Sequence, residues 1–291
     1  MKKQKKIEDT NCYFIAEIGQ NHQGDINIAK KMVDTLVGTG VSAIKTAKRD
    51  IDVCLTEEQK SMPYINDRSF GKTYYEHRKA LELEKDEFIE LKEYSESKGF
   101  DFISSFTDKP SLDFLVNECG VKYLKIASQR TTDINLLEEA AKTEIPTIIS
   151  TGMCNIEDVD RCVNIFNDVD KYLMQCTSSY PCSDSDINLN VIKTYQERYG
   201  NKILAYGLSG HHTSISPDIA AYMMGAKIIE RHYTLDRSMK GTDHIGSLEV
   251  SGFINIIKFI RQIQDAMGSF DKKVLESELP SLQKLRGDLK K

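Results

Sequence analysis

The chain has 291 residues and a formal net charge of −5, and with 40% hydrophobic and 29% charged residues it has the composition of a globular protein. Its basic residues form no stripe, so we expect no nucleic-acid partner. Its apolar runs are far too short for a signal sequence or a membrane span, so we expect no membrane association.

Short β-rich runs alternate with amphipathic stretches along the whole chain. The predicted strands are Tyr13–Ile18, Ala43–Thr46, Phe100–Ser104, Tyr123–Ala127, Pro146–Ser150, Tyr172–Cys176, Leu204–Leu208 and Lys227–Glu230. The predicted helices are Asn27–Thr39, Tyr75–Lys98, Leu112–Cys119, Ile134–Lys142, Ile156–Phe166, Leu189–Tyr199, Pro217–Met224 and Ser251–Met267. Eight strand–helix pairs in a chain of this length predict a single-domain α/β fold, the (β/α)8 TIM barrel.

The competing fold is a doubly wound open sheet, which requires a glycine-rich phosphate-binding turn after its first strand. Here the first strand runs into Gly19–Gly24, which does not have the G-x-G-x-x-G spacing. We therefore favour the barrel. It divides the chain into an N-terminal extension (1–12), the barrel domain (13–268) and a charged C-terminal tail (269–291) that we expect to be helical.

Lysines, hydroxyls and imidazoles follow the predicted strands. In a parallel barrel the C-terminal strand ends share one rim, where active sites lie. The candidate residues at or just after these ends are Glu17, Asn21, Lys45, Ser105, Lys125, Ser128, Ser150, Thr177, Ser178, Tyr180, Ser209, His211, His232 and Asp243. Lysines and hydroxyls that converge there suit an anionic ligand, most simply a phosphate. Each serine or threonine alone is equally well explained as a helix cap, so the prediction depends on the density of the set.

Two histidines lie just after the last two predicted strands. A single histidine there would be better explained as structural, but His211 and His232 occupy equivalent positions. Two imidazoles on neighbouring rim positions predict a shared divalent metal, which would make a carbonyl electrophilic. Together with Glu17 they suit a cation of borderline softness, such as manganese, zinc or iron.

The cysteines indicate the compartment. There are seven, an odd number, and no C-x-x-C motif occurs. This pattern predicts reduced thiols in a cytoplasmic protein and argues against a disulfide framework. Cys176 lies beside the candidate site, but nothing next to it in sequence indicates an activated thiolate.

The sequence resembles the sialic acid synthase family, which comprises N-acetylneuraminate synthases and related nonulosonic acid synthases. The matching motifs occur in family order and are Phe14–Asp25, Lys125–Ser128, Ile149–Met153, Cys176–Pro181, Gly207–His211, Gly225–Tyr233 and Gly241–His244. The resemblance implies a metal-dependent transferase that condenses phosphoenolpyruvate with the open-chain aldehyde of an N-acyl amino sugar similar to N-acetylmannosamine. Phosphate leaves and a sialic-type α-keto acid forms.

The resemblance also implies a role for each candidate residue. His211 and His232 would bind the metal, expected to be manganese with magnesium or cobalt as alternatives, and Glu17 would act as an acid or base beside it. The residues expected to bind phosphoenolpyruvate are Lys45, Ser105, Lys125, Ser128, Ser150, Thr177, Ser178 and Ser209. The residues expected to contact the sugar are Asn21, Arg130, Tyr180 and Asp243. Because members of the family usually pair, we expect a homodimer.

Three features depart from the family pattern. Arg130 stands where an acid is frequent, and Gly210 stands where an aspartate is common, so we expect a supporting contact to the metal histidine to be lost. Many members carry an antifreeze-like C-terminal domain that reaches into the partner's site, and this sequence ends at Lys291, before such a domain. Either another polypeptide supplies that lid, or the acceptor pocket is built differently.

Two alternative functions follow from these departures. Arg130 favours a different phosphoenolpyruvate-dependent aldol synthase acting on a sugar phosphate such as arabinose 5-phosphate, because a guanidinium suits phosphate. The absent lid and Gly210 favour a non-catalytic barrel that binds a sugar or a partner enzyme. Turnover with N-acetylmannosamine, compared with turnover on sugar phosphates, separates the leading function from the first alternative, and metal-dependent turnover with any aldose would exclude the second.

Overall fold

The computed structural model describes residues 6–287, and eight parallel strands form a closed barrel within them. The strands are β1 (Tyr13–Gly19), β2 (Ala43–Lys48), β3 (Asp101–Phe106), β4 (Leu124–Ile126), β5 (Thr147–Ser150), β6 (Lys171–Cys176), β7 (Ala205–Gly210) and β8 (Ile228–His232). Each strand pairs with its sequence neighbours, and β1 closes the barrel against β8 with Glu17 opposite His232. The predicted TIM barrel is confirmed. However, β2, β3, β7 and β8 each end two residues later than predicted, so that His232 lies inside β8.

Helices cover the outside of the barrel. They are α1 (Ile26–Leu36), α2 (Ile51–Cys54), α3 (Glu57–Ser61), α4 (Tyr74–Lys79), α5 (Lys85–Ser97), α6 (Lys109–Asp113), α7 (Ile134–Ala141), α8 (Ile156–Ile165), α9 (Val191–Tyr199), α10 (Ser216–Met223), α11 (Val250–Met267) and α12 (Leu279–Arg286). A π-helical segment, Phe114–Cys119, continues α6. Polar side chains cap the helix starts: Asp25 accepts hydrogen bonds from the first turn of α1, and Asn155 and Asp158 form a capping box at the start of α8.

The prediction of one helix over Tyr75–Lys98 is wrong, because the chain forms α4 and α5 with an extended segment between them. Leu81 and Leu83 of this segment are both buried, each 3% exposed, and so they anchor it to the core. The backbone N–H of Glu84 donates to Glu87 at 3.0 Å, which caps the start of α5. The break separates α4 from α5 and leaves α4 at the mouth of the barrel.

The barrel interior is layered, and this layering positions the candidate site. Its apolar layer consists of Ile7, Tyr13, Ile15, Ala43, Ile103, Ile148, Tyr172, Met174, Ala205 and Ile228. Because strand side chains alternate, residues two positions further along face the same interior. Those residues form a polar layer nearer the C-terminal rim that includes Glu17, Lys45, Ser105, Ser150 and Glu230.

The opposite end of the barrel is sealed by the N-terminal segment. Ile7 is fully buried against the apolar layer, the Glu8 carboxylate accepts from the Tyr172 hydroxyl at 2.6 Å, and the Tyr13 hydroxyl donates to Asp101 at 2.7 Å. The tail beyond α11 contains α12 and is exposed along most of its described length, and residues 288–291 of the predicted tail lie outside the described range. No helix in residues 6–287 is long and apolar enough to cross a membrane.

Candidate active site

A cavity of about 320 Å³ opens at the C-terminal rim of the barrel. It collects most of the residues that the sequence singles out. The predicted residues that line it are Glu17, Lys45, Ser105, Lys125, Ser128, Ser150, Ser178, Tyr180, Ser209, His211, His232 and Asp243. They come from seven strands and from the loops after them, which is how a TIM barrel assembles a site from distant parts of the sequence.

Three predicted residues do not line this cavity. Asn21 is buried and its amide donates to the carbonyl oxygen of Tyr233 at 2.8 Å and to Ser247 at 2.9 Å, so it ties the first loop to the last. Arg130 faces Asp133 at 3.3 Å outside the cavity. The Thr177 hydroxyl donates to a backbone carbonyl at 2.7 Å, although the Thr177 carbonyl contacts a site histidine.

Two ammonium groups lie between two buried carboxylates at the bottom of the cavity. We name these four residues the inner wall: Glu17, Lys45, Lys125 and Glu230. The ammonium of Lys125 donates to both oxygens of Glu230, at 2.9 and 2.8 Å. Lys45 lies 3.5 Å from Glu230 and also pairs with Glu17. Burial by itself would raise the pKa of Glu230, but the two ammonium groups outweigh burial and hold its pKa well below the usual range. The inner wall is therefore charged but internally compensated.

Glu230 is a site residue that the sequence reasoning missed. It stands two positions before His232 on β8, so strand alternation alone would have placed both side chains on the interior face. The signal was therefore present in the sequence. Glu230 is the last residue of the predicted strand Lys227–Glu230, and for that reason it was not counted among the site residues.

Serine hydroxyls line the cavity beside the inner wall. The backbone N–H of Gly152 donates to Ser128 at 2.9 Å, and a Cβ atom at Gly152 would collide with the hydroxyls of Ser128 and Ser178. The hydroxyl oxygens of Ser150 and Ser178 are buried without a hydrogen-bond partner among the described residues. Buried polar atoms are usually satisfied, so unsatisfied hydroxyls facing a cavity indicate a polar ligand.

The two predicted imidazoles lie together at the rim. The ring centroids of His211 and His232 are 5.4 Å apart. Imidazoles that share an ion through nitrogens at about 2 Å each have ring centres several ångströms apart, so this separation is compatible with one shared metal. The Nδ1 atom of His211 lies 2.8 Å from the Thr177 carbonyl oxygen, which assigns the proton to Nδ1 and leaves Nε2 as a possible ligand.

His232 also meets the requirements of a ligand. Its Nδ1 is buried with no hydrogen-bond partner in residues 6–287, and Asp243 lies 3.9 Å away. Burial is the main influence on His232 and lowers its pKa to about 4, so the ring is neutral at pH 7, as a metal ligand must be. Within the described residues no three His, Cys, Asp or Glu side chains form a metal-binding group, so an ion held by the two imidazoles would need oxygen ligands from water or substrate.

Gly210 has a packing reason in this structure. A Cβ atom there would lie 2.5 Å from the ring of His212, which is fully buried. His212 packs with Asp218 and Arg231, whose guanidinium donates to Asp218 at 2.5 Å. This buried cluster leaves no room for an aspartate at position 210, and the supporting contact to His211 comes instead from the Thr177 carbonyl.

The outer wall of the cavity, as we name Gln20, Arg49 and Arg78, was not predicted. Arg49 lies beyond the predicted end of β2, and Arg78 lies on α4, inside the stretch read as one long helix. The Gln20 amide donates to Asp243 at 3.2 Å and accepts from the Arg78 guanidinium at 2.7 Å. Arg49 pairs with Glu82 at 2.6 Å. Two guanidinium groups thus face the same cavity as the inner wall.

A closed parallel barrel whose C-terminal rim combines lysines, unsatisfied hydroxyls and two imidazoles defines a TIM-barrel enzyme that acts on an anionic substrate. The profile of the NeuB family matches residues 32–272. The chain therefore belongs to the NeuB family, the sialic acid synthase family whose motifs the sequence carries, and it is an enzyme of this phosphoenolpyruvate-dependent type. Membership of a family of enzymes argues against the non-catalytic alternative.

Individual relatives agree with the family. The N-acetylneuraminate-9-phosphate synthase of Homo sapiens is 37% identical over 276 residues, which are 94% of this chain and 76% of that protein. The N,N'-diacetyllegionaminic acid synthase of Legionella pneumophila is 37% identical over 278 residues, 92% of this chain and 77% of that protein. The solved structure of N-acetylneuraminic acid synthetase from Leptospira borgpetersenii, in complex with citrate, matches with a TM-score of 0.80 at 31% identity and covers 96% of this chain and 93% of that chain.

Proposed function

We propose that this enzyme joins phosphoenolpyruvate to the open-chain aldehyde of an N-acyl amino sugar similar to N-acetylmannosamine, giving a nonulosonic acid and inorganic phosphate. The observation that carries the proposal is the pair of imidazoles, 5.4 Å apart, in one cavity with two lysines and unsatisfied serine hydroxyls. The lysines and hydroxyls suit a phosphate and a carboxylate, and the imidazoles suit a metal beside an aldehyde.

Phosphoenolpyruvate would lie against the inner wall and its serines. Lys45 and Lys125 supply positive charge, and the hydroxyls of Ser150 and Ser178 supply hydrogen bonds that no protein group in residues 6–287 uses. The absence of a side chain at Gly152 keeps Ser128 and Ser178 close to its backbone. This set offers both charge and directed donors to the anionic groups of the enol phosphate.

His211 and His232 would hold a divalent cation, for which we favour manganese over magnesium or cobalt. When bound there, the cation supplies Lewis acidity toward the aldehyde oxygen. The Thr177 carbonyl fixes the orientation of His211, and Asp243 faces His232. The Tyr180 ring packs against His211 at a tilt of 45°, with 4.1 Å between the ring centroids, and covers one side of the imidazole pair.

We assign to Glu17 the role of accepting a proton from the attacking water. Carbon 3 of phosphoenolpyruvate attacks the aldehyde carbon, whose oxygen becomes an alkoxide, and water then adds at carbon 2 and loses a proton that in the end neutralises this alkoxide. Glu17 is 2% exposed, and its Oε1 has no hydrogen-bond partner among the described residues, so this oxygen is available to accept that proton. The tetrahedral carbon then expels phosphate and becomes the ketone, and Lys45, which pairs with Glu17, faces the departing charge.

Two further properties belong to the proposal. We place the enzyme in the cytoplasm, because all seven cysteines are free thiols and the active site carries Cys176 among its lining residues. We also propose a homodimer, as the family resemblance implies. Light scattering coupled to size-exclusion chromatography tests the dimer, and a mass equal to one chain would contradict it.

The test of the reaction is phosphate release from phosphoenolpyruvate in the presence of manganese and N-acetylmannosamine or its derivatives. We expect release to require both metal and aldose, and to fall below detection in His211→Ala and His232→Ala. Binding of Mn²⁺, followed by the electron paramagnetic resonance of the free ion, should be lost in the same variants while their melting temperatures stay near that of the wild type. Undiminished phosphate release in both variants would refute the proposed role of the imidazoles.

A further inference from the structure

Arg78 forms no salt bridge within the described residues, in contrast to the other cations of the cavity. Lys45 and Lys125 contact carboxylates of the inner wall, and Arg49 contacts Glu82. Within residues 6–287, Arg78 has no carboxylate at salt-bridge distance, and its hydrogen bond goes to the neutral amide of Gln20. Its guanidinium also lies 5.6 Å from the ring centre of Tyr74, which favours the cation without neutralising it.

The environment of Arg78 makes this charge costly to leave unpaired. Burial is the main cause that lowers the pKa of Arg78, and the neighbouring charge of Arg49 acts in the same direction. The carboxylates of Glu82 and Asp243, beyond salt-bridge distance, oppose the shift without outweighing it. In addition, the Nε atom of Arg49 is buried without a hydrogen-bond partner in the described part of the chain. Two guanidinium groups with spare donors at one wall of a cavity are a ready site for an anion.

The outer wall is connected to the imidazoles by a chain of polar contacts. Asp243 lies 3.9 Å from His232, the Gln20 amide donates to the other oxygen of Asp243 at 3.2 Å, and Arg78 donates to Gln20 at 2.7 Å. From the imidazoles to the mouth of the cavity, the contacts therefore run from His232 to the Asp243 carboxylate, then to the Gln20 amide, and finally to the Arg78 guanidinium. That order matches a molecule with an aldehyde at one end, hydroxyls along its length and an anionic group at the other end.

We infer that Arg78, together with Arg49, binds a phosphate ester on the acceptor sugar, at the end remote from the aldehyde. This inference rests on the proposed function and narrows the acceptor to a phosphorylated N-acyl amino sugar. The planar guanidinium presents paired donors that fit phosphate oxygens. The neutral amide of Gln20 orients Arg78 without neutralising its charge. A carboxylate at the same position would neutralise it.

The position of Arg78 separates this phosphate from that of phosphoenolpyruvate. The inner wall and the serines lie at the strand ends, deep in the barrel, whereas Arg78 is carried by α4 at the mouth and Arg49 follows β2. Arg130, the cation that the sequence suggested for a sugar phosphate, faces Asp133 outside the cavity. We therefore assign the phosphate of the acceptor to the outer wall and not to Arg130.

The experiment compares N-acetylmannosamine with N-acetylmannosamine 6-phosphate as acceptors, with phosphoenolpyruvate and manganese present. In the wild type we expect a higher kcat/KM for the phosphorylated sugar. In Arg78→Gln, loss of a charge-assisted hydrogen bond should raise KM for the phosphorylated sugar by about ten- to hundredfold. The KM values for N-acetylmannosamine and for phosphoenolpyruvate should not change. Arg78→Lys keeps the charge but loses the paired donors, so it should recover part of the affinity.

Lys79→Gln is the matched control, because it removes a cation from the same short helix at an exposed position whose ammonium contacts only Tyr75 in the described structure. It should leave every parameter unchanged. Equal kcat/KM for the two sugars in the wild type, or a rise in KM for phosphoenolpyruvate in Arg78→Gln, would overturn the inference and leave the proposed function intact. No phosphate release with either sugar would instead count against the proposed function.

Discussion

The inner and outer walls of the cavity hold positive charge in opposite ways. On the inner wall, buried lysines are tied to Glu17 and Glu230, so the wall is nearly neutral before a ligand arrives. On the outer wall, Arg78 is held by the Gln20 amide and forms no salt bridge within the described residues. Removing one partner from the inner wall would leave a buried charge unpaired, so its ion pairs matter for the stability of the barrel as well as for the proposed binding of phosphoenolpyruvate. The outer wall instead presents Arg78, which has no salt bridge in residues 6–287, to a second anionic group.

The largest expected effect concerns stability. Glu230→Gln preserves the shape of the side chain but leaves the ammonium groups of Lys125 and Lys45 buried without this carboxylate. Removing one member of a buried ion pair typically costs about 3–5 kcal/mol, so we expect a loss of that order in the free energy of unfolding, measured by urea denaturation.

Glu82→Gln is the matched variant on the outer wall. It removes the partner of Arg49, but both side chains retain some exposure, 13% for Arg49 and 12% for Glu82, and water can solvate the guanidinium. The loss should therefore be clearly smaller than for Glu230→Gln. Equal losses in the two variants would remove the distinction between the walls.

The second effect concerns pH. Burial is the main influence on Lys45 and lowers its pKa to about 8, although Glu230 lies beside it and favours the charged form. The ammonium is therefore present below pH 8 and is lost above it. Because kcat/KM reports the free enzyme, kcat/KM for phosphoenolpyruvate should fall by about tenfold per pH unit above pH 8.

Lys45→Arg is the variant that tests the origin of this fall. A guanidinium stays protonated throughout the accessible range, so the decline above pH 8 should disappear even if the overall rate is lower. The KM for the phosphorylated acceptor, which depends on Arg78, should show no comparable rise in the wild type. A decline that persists in Lys45→Arg would mean that another group is responsible.

The sequence predicted the inner part of this site better than the outer part, for a physical reason. Residues such as Lys45, Lys125 and His232 converge because parallel strands deliver their C-terminal ends to one rim, and short apolar runs are readable in a sequence. The outer wall depends on where a helix breaks. The stretch containing Arg78 has helical periodicity on both sides of Leu81 and Leu83, and the break between α4 and α5 coincides with the tertiary burial of these two leucines.

The supporting contacts were the least predictable. His211 is oriented by a backbone carbonyl, that of Thr177, and a carbonyl belongs to every residue and leaves no mark in a sequence. From the sequence, Gly210 in place of an aspartate suggested that such a contact is lost. In the structure, the absence of a side chain at Gly210 makes room for the buried ring of His212. A substitution that suggests a missing function from sequence can therefore reflect a packing requirement.

The smallest expected effect is that of substituting Arg130, which the sequence suggested as the cation for a sugar phosphate. It tests that assignment against the assignment of Arg78. Arg130 and Asp133 form a partly exposed pair three residues apart, with side chains 27% and 34% exposed, and such pairs contribute about 0–1 kcal/mol. Arg130→Gln should therefore change neither the KM for a phosphorylated acceptor nor the stability by more than this small amount, whereas Arg78→Gln should raise that KM strongly. Parallel kinetics of the two variants make the comparison, and a larger effect at Arg130 would return sugar recognition to the loop after β4. A larger effect at Arg78 would instead mean that a cation from a helix at the mouth, and not one at a strand end, selects the acceptor.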